Sequence, residues 1–364
     1  MATRYLDANQ VRSFCEFVFQ KRGFSGQDSA DITDVLLTAD LYGIESHGIQ
    51  RLIRYHLAID EGSIRADAAP QVVFETPITA VIDAPRTMGQ VVAKAGMNLA
   101  IEKAANHGIG IVTVRGSNHY GIAGYYASMA ARADMLGICM TNTEAIMVPT
   151  FGSQAMLGTN PIAVCMPADP VDFWYDAATT VVTRGKLEVY GKKDAPLPLG
   201  WAADENGQPC RDASRVIHNI IGKLGGGIMP LGGASPETGS HKGYGLGMIV
   251  ELFTSIFAGG TTAPHVKNSG NSDTSFCFWA IDYGIFGDKT TIRQNMSTLL
   301  AELRASPRAA GQERIYTHGE LEFESLIEKT KTGIPVNEKT MAELRRIGDD
   351  LGIAIVLDSL SINP

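Results

Sequence analysis

The sequence predicts an α/β protein whose helical layer is contributed by both chain ends. Three observations carry this reading: helical spacing of apolar residues through the first sixty positions, short β-rich runs alternating with helices over about 69–287, and a return to helical spacing in the last fifty. The expected division is therefore 1–68 helical, 69–287 α/β, and 288–364 helical and packed with the first part. With 364 residues, 45% of them hydrophobic, the chain is long enough for two to three domains' worth of core and too apolar for disorder.

The elements follow in order. Over 26–42, Asp28 and Ser29 stand where a helix cap is needed, and Ile32, Val35, Leu36 and Ala39 recur at helical spacing. A second amphipathic helix is expected over 46–61, closed by Gly62. The runs VVFE and AVIDA then read as strands, followed by a helix over 90–106, a strand over 109–114, a helix over 122–132 and a strand over 136–141. Further strands are expected at 162–166, 171–175 and 276–281, and helices at 244–257 and 294–305. Residues 194–209 and 222–239 are too rich in Pro and Gly for a regular element and read as loops.

Charge and cysteine usage narrow the function. Lysine and arginine number 31 against 39 acidic residues, a net charge of −8 with no basic block, which argues against nucleic acid or an anionic membrane as partner. The opening MATRYLDANQVRSF has no apolar stretch, so no secretory signal is expected. Five scattered cysteines without a CxxC pair fit reduced thiols in the cytoplasm and argue against a thiolate metal site. The longest uncharged stretch, 145–168, contains Pro149, Pro161 and Pro167 and reads as loop and strand, not as a membrane span.

No GxGxxG opens a helix after a strand, and no GxxxxGK[ST] is present, so an ordinary dinucleotide cradle is not expected. Chemistry gathers in three other places. ESHGIQR sets His47 and Arg51 four apart at a helix start, where both project from one face. A guanidinium that forks onto a carboxylate and an imidazole that serves the neighbouring oxygen suit a 2-oxo or 2-hydroxy acid; the alternative is a Ser cap with surface His and Arg. RGSNHYG places His119 in the turn after the apolar run 109–114, at a strand's carboxyl end. It is an acid/base candidate there, or a histidine that merely caps the turn. LGTNP, DAATT and GSHKGYG offer small residues for close backbone approach and Lys242 for a phosphate, though Asp176 also suits a plain cap. His56, His107, His218 and His265 lack a metal-like partner; His56 lies near the apolar stripe of its helix, and His218 and His265 read as loop residues.

Taken together, these segments resemble the malate/L-lactate dehydrogenase family that is unrelated to the Rossmann enzymes of the same names. The motifs are SHGIQR (46–51), HGIGIVTVRGSNHYGIAGYYA (107–127), FGSQAMLGTNPIA (151–163), DAATT (176–180), GKLEVY (185–190), SHKGYGLGMIVEL (240–252) and HGE (318–320). The resemblance implies a non-Rossmann nicotinamide-binding fold with a mixed-sheet core, NAD or NADP as cofactor, a homodimer, and hydride transfer between nicotinamide and a small 2-hydroxy or 2-oxo acid. The motifs stand nearest the malate-oxidising members; lactate, sulfolactate, ureidoglycolate, diketogulonate or a cyclic imino acid are the alternatives, and a nucleotide-binding scaffold is the reading outside enzymes. Carried over by position, His119 is the general acid/base with His47 as competitor, Arg51 holds the substrate carboxylate, and Ser46 and Asn160 line its pocket. Thr143, Asp176, Ala177, Ala178, Lys242, His318, Gly319 and Glu320 fall where the family meets its cofactor. Glu144 departs from the family's small-residue pattern and is expected either to orient an imidazole or to face solvent.

Overall fold

The computed structural model describes residues 3–267 and 272–353. A strand comes first, where only helix was expected: β1 (Thr3–Leu6), followed by α1 (Ala8–Lys21) and α2 (Gly26–Leu41). Asp7 caps α1 by accepting from Asn9 N and Gln10 N. The cap of α2 is Ser25, whose Oγ accepts from Asp28 N; the two candidates read from the sequence lie inside the helix. The helix expected over 46–61 is broken into two 3₁₀ turns, Glu45–His47 and Ile49–Arg51, ahead of α3 (Leu52–Asp60).

β2 (Gln71–Glu75) and β3 (Thr79–Asp83) lead into α4 (Gly89–His107), which Gly108 ends in the left-handed region at φ +84°. β4 (Ile109–Ser117), α5 (Ala123–Arg132), β5 (Leu136–Thr141), β6 (Ile162–Met166) and β7 (Phe173–Ala177) follow. Next come α6 (Arg184–Lys192), β8 (Ala202–Ala203), α7 (Ala213–Gly222) and β9 (Gly227–Ile228). His218 thus lies on a helix, α7, which Asp212 caps through Arg215 N, and His265 closes a 3₁₀ turn; neither is in an irregular loop. α8 (Ser240–Glu251) continues into a π turn (Leu252–Ile256), and β10 (Thr274–Ile281), α9 (Lys289–Ala305), α10 (Glu320–Thr332), β11 (Ile334–Asn337) and α11 (Glu338–Leu351) complete the chain.

Seven strands form one mixed sheet in the order β2-β3-β4-β10-β5-β6-β7. Only β3 and β4 run parallel, joined by α4, which packs back on the sheet. β10 enters the centre from far along the chain and pairs antiparallel with both β4 and β5. Its alternation serves two cores: Phe276, Phe278 and Ala280 pack with α4 and α5, and Cys277 packs with Met140 and Val250. At the chain ends, β1 pairs antiparallel with β11, and Leu6, Ile334 and Val336 join α1, α2, α3 and α11 in a separate apolar cluster. Both ends therefore contribute strand as well as helix. Four-residue strands are too short to show a period in sequence, and each finds its hydrogen bonds only when the other is present. Among the described residues no helix is long and apolar enough to cross a membrane.

Candidate active site

The site begins with a buried acid. Asp40, near the end of α2, is 2% exposed, and its Oδ2 accepts from Ile49 N at 2.7 Å. Gly48 crosses directly over it: a Cβ there would lie 1.8 Å from Asp40 Oδ1, so no other residue passes at this place. This pinning breaks the expected helix and sets His47 and Arg51 on successive 3₁₀ turns. Arg51 Nε donates to Ser46 O at 2.5 Å, and Ser46 Oγ lies 2.9 Å from His47 Nδ1. Burial pushes the Asp40 carboxyl up to about 7, only partly opposed by the bond from Ile49.

His119 arrives from the sheet, in the turn after β4, and meets the helical layer there. Its Nδ1 is 2.7 Å from Tyr55 Oη, and its ring stacks on His47 with centroids 5.4 Å apart and planes at 24°. A cavity of about 300 Å³ brings together Ser46, His47, Arg51, His119, Thr143, Asp176 and Ala178. Asp176 Oδ2 accepts from Gly124 N at 2.7 Å, so it also caps α5, and burial raises its carboxyl to about 7. Asn160 is fully buried beneath this wall: Nδ2 donates to Gly247 O and Glu251 Oε1, and Oδ1 accepts from Thr143 N. Ala177 ends β7 beside the cavity residues Asp176 and Ala178. His318 sets its ring against Phe173 and Tyr175 of β7, Trp174 N donates to His318 O, and Glu320 Oε2 accepts from Thr317 Oγ1. Lys242 is exposed in the first turn of α8, outside the cavity lining.

The sequence reading passed over Arg54, Arg184 and Lys267, which line the cavity together with Thr159 of LGTNP, and Tyr55 behind His119. Arg54 and Tyr55 follow Arg51 by three and four residues, a spacing that could have flagged them. Arg184 stands just before GKLEVY at the start of α6, and its Nη1 is 3.4 Å from Glu144 Oε1. Glu144 thus lines the cavity as the partner of an arginine.

The electrostatics are one-sided. Among the described residues no carboxylate oxygen lies within 4.0 Å of Arg51 or Arg54. Burial pushes His47 down to about 3, with the charges of Arg51 and Arg54 adding to it. Burial likewise holds His119 well below the ordinary histidine value, with help from Arg54, His47 and Arg51. Both imidazoles are therefore neutral at neutral pH, in a cavity that lacks negative charge at its helical wall. Such a site is completed by an anion.

Comparison with known proteins gives this arrangement a family. The model described as malate/L-lactate dehydrogenase matches residues 6–345. The chain belongs to the malate/L-lactate dehydrogenase family. It is 42% identical to a malate dehydrogenase of Pyrococcus abyssi over 96% of this chain and 97% of that one. An L-sulfolactate dehydrogenase of Methanocaldococcus jannaschii is 36% identical over 93% and 94% of the two chains. The crystal structure of a malate dehydrogenase from Entamoeba histolytica superposes with a TM-score of 0.93 at 32% identity, covering 97% of this chain and 99% of that one. As a member of this family the protein is a hydroxyacid dehydrogenase, an oxidoreductase acting on CH–OH donors with a nicotinamide cofactor.

The residues present fit such a group. Gly121, Ala123, Ala178 and Gly185 leave part of the wall shallow, and Thr143 and Thr159 set hydroxyls in it, as a flat ring with a carboxamide requires.

Proposed function

We propose that the protein interconverts malate and oxaloacetate, using NAD or NADP. The observation that carries this reading is the pair Arg51 and Arg54, two guanidiniums in the cavity of both histidines with no carboxylate oxygen within 4.0 Å among the described residues. A dicarboxylate satisfies both, and its charge offsets the cations that add to burial in holding the imidazoles neutral. Pyruvate or lactate would leave one guanidinium unmatched. The malate dehydrogenases among the relatives support the same substrate.

Arg51 holds the carboxylate next to the reacting carbon, and Ser46 and Asn160 complete that part of the pocket, Asn160 through Thr143. His119 moves the proton at the substrate's C2 oxygen. Its Nδ1 faces Tyr55 Oη and Gly121 N, which leaves Nε2 for the substrate; Nδ1 of His47 is engaged in the same way by the adjoining Ser46, and His47 is the competing proton carrier. Thr143, Asp176, Ala177 and Ala178 would hold the nicotinamide end, and Lys242, His318, Gly319 and Glu320 the remainder. A bound nicotinamide supplies hydride exchange at C4.

The enzyme is read as a homodimer of the cytoplasm. Met248, Ile249, Leu252, Ile256 and Phe257 form one exposed apolar stripe along α8 and its π turn, beside a groove of about 710 Å³, and a second copy of the chain is its proposed occupant. All five cysteines are buried and free, in keeping with a reducing compartment. The test is turnover of NADH and NADPH against oxaloacetate, pyruvate and sulfopyruvate, with sedimentation for the dimer. Oxaloacetate is expected to exceed the others in kcat/KM. A clear preference for pyruvate would overturn the malate reading, and a monomer at assay concentration the dimer.

A further inference from the structure

Two of the cavity's charges already answer each other. Arg184, at the start of α6, and Glu144, in the bend after β5, both line the cavity, and Arg184 Nη1 donates to Glu144 Oε1 at 3.4 Å. The same guanidinium donates from Nε to Glu188 Oε1 at 3.1 Å, one turn along α6, but that carboxylate is 46% exposed. Glu144 is the inner partner, with its side chain only 20% exposed. A pair in water counts for little, whereas a charge on the wall of a small cavity acts on whatever enters it.

Across the lining four cations, Arg51, Arg54, Arg184 and Lys267, stand against two carboxyls, Glu144 and Asp176. Burial raises Asp176 to about 7, so above neutrality it is ionised, while both histidines are neutral. Two positive charges are left over, which matches the two negative charges of a dicarboxylate. A round cavity of about 300 Å³ is roughly 8 Å across, no more than the screening length at physiological salt, so the charge of Glu144 is felt throughout it.

We propose that Glu144 selects substrates by charge: it offsets Arg184, sets the cavity for a dianionic 2-oxo acid, and turns away an acid of the same shape that carries a third negative charge. This rests on the reading of Arg51 and Arg54 as the seats of two anionic groups. The selection works by repulsion, since a third negative charge exceeds what the lining offers and meets Glu144 beside the one arginine that could serve it. With Glu144 uncharged, only the exposed Glu188 would hold Arg184, and the guanidinium could turn to the substrate.

The test compares sulfopyruvate with phosphonopyruvate, 2-oxo acids whose tetrahedral end groups are nearly alike in shape and differ by one charge at pH 8, where a phosphonate is doubly charged. The readout is the ratio of kcat/KM, phosphonate over sulfonate, or of the inhibition constants against oxaloacetate where one acid is not reduced. The wild-type enzyme is expected to favour the sulfonate. Glu144→Gln, which keeps the size and removes the charge, should raise the ratio by about tenfold, the weight of one charged hydrogen bond. Arg184→Met should lower it, and the two substitutions together, which restore the wild-type net charge, should bring it back near its starting value. A ratio that ignores Glu144→Gln, or moves the same way in both single variants, would mean that shape decides and would overturn the proposal; so would a wild-type preference for the phosphonate. If Arg184→Met fails to fold, Glu144→Gln alone decides, because it changes charge without changing volume. Pyruvate turned over better than both oxaloacetate and sulfopyruvate would refute the reading of Arg51 and Arg54, whereas preferred oxaloacetate with a ratio indifferent to Glu144 would refute the charge selection alone.

Discussion

On the helical side of the cavity, Arg51 and Arg54 have no carboxylate partner among the described residues, and two imidazoles are kept neutral. On the sheet side, Asn160, Asn142 and Glu251 exhaust one another's hydrogen bonds. Glu251 alone accepts from Asn160 at 3.0 Å, from Ser255 at 2.7 Å and from Asn142 at 3.4 Å. The sheet-side network is buried, whereas on the helical side Arg54 is exposed and Arg51, His47 and His119 are half-buried. Charge that a ligand is to complete stands where the ligand can reach it, and a satisfied network stands where the ligand must find a rigid floor.

The comparison is broken most directly at His119. His119→Ala should lower kcat by about 10²- to 10⁴-fold with nicotinamide affinity unchanged, measured by steady-state kinetics beside a binding titration; near-normal turnover would remove the catalytic role from the helical wall. Arg51→Ala should raise KM for oxaloacetate by roughly 10- to 100-fold, the worth of a charged hydrogen bond. Arg54→Ala should weaken oxaloacetate and leave pyruvate nearly untouched; equal effects on the two would show that Arg54 does not read the second carboxylate.

On the sheet wall the expected effect is one of stability. Asn160→Ala should lower the unfolding free energy by about 1–3 kcal/mol, seen as a reduced denaturant midpoint, with a smaller rise in KM than Arg51→Ala. The last effect is in acid. His47 titrates at about 3 when folded and near 6.5 when unfolded, so the unfolded chain binds the extra proton between those values. The contribution of His47 is whole above about 6.5 and is lost as pH falls toward 3. His47→Phe should therefore flatten the loss of stability between pH 6.5 and 4, and an unchanged slope would show that His47 is not held neutral.

Much of this was legible. The strands 136–141 and 162–166 are found residue for residue, and 109–114 and 276–281 within the longer β4 and β10, because continuous apolar runs bounded by polar or glycine residues state their own ends. The seven motifs led to the family, and residues drawn from five of them meet in one cavity. The helix over 46–61 could not be read correctly, because its break depends on Asp40 coming up beneath Gly48. α7 lies between two stretches rich in Pro and Gly, and β1 and β11 are partners separated by more than 300 residues.

The sequence by itself determined the alternation of helices and strands, the absence of a dinucleotide fingerprint, and which histidines and arginines stand beside turns. These are local properties, set by period and by the residue types that a turn accepts. Tertiary structure alone decided that β10 enters the sheet between β4 and β5, that the two chain ends share a sheet, and that Tyr55 stands behind His119. It also decided charge. An imidazole is cationic or neutral, and a carboxyl such as Asp40 ionised or not, according to burial and to neighbours brought from distant parts of the chain, and no spacing along the sequence carries that information.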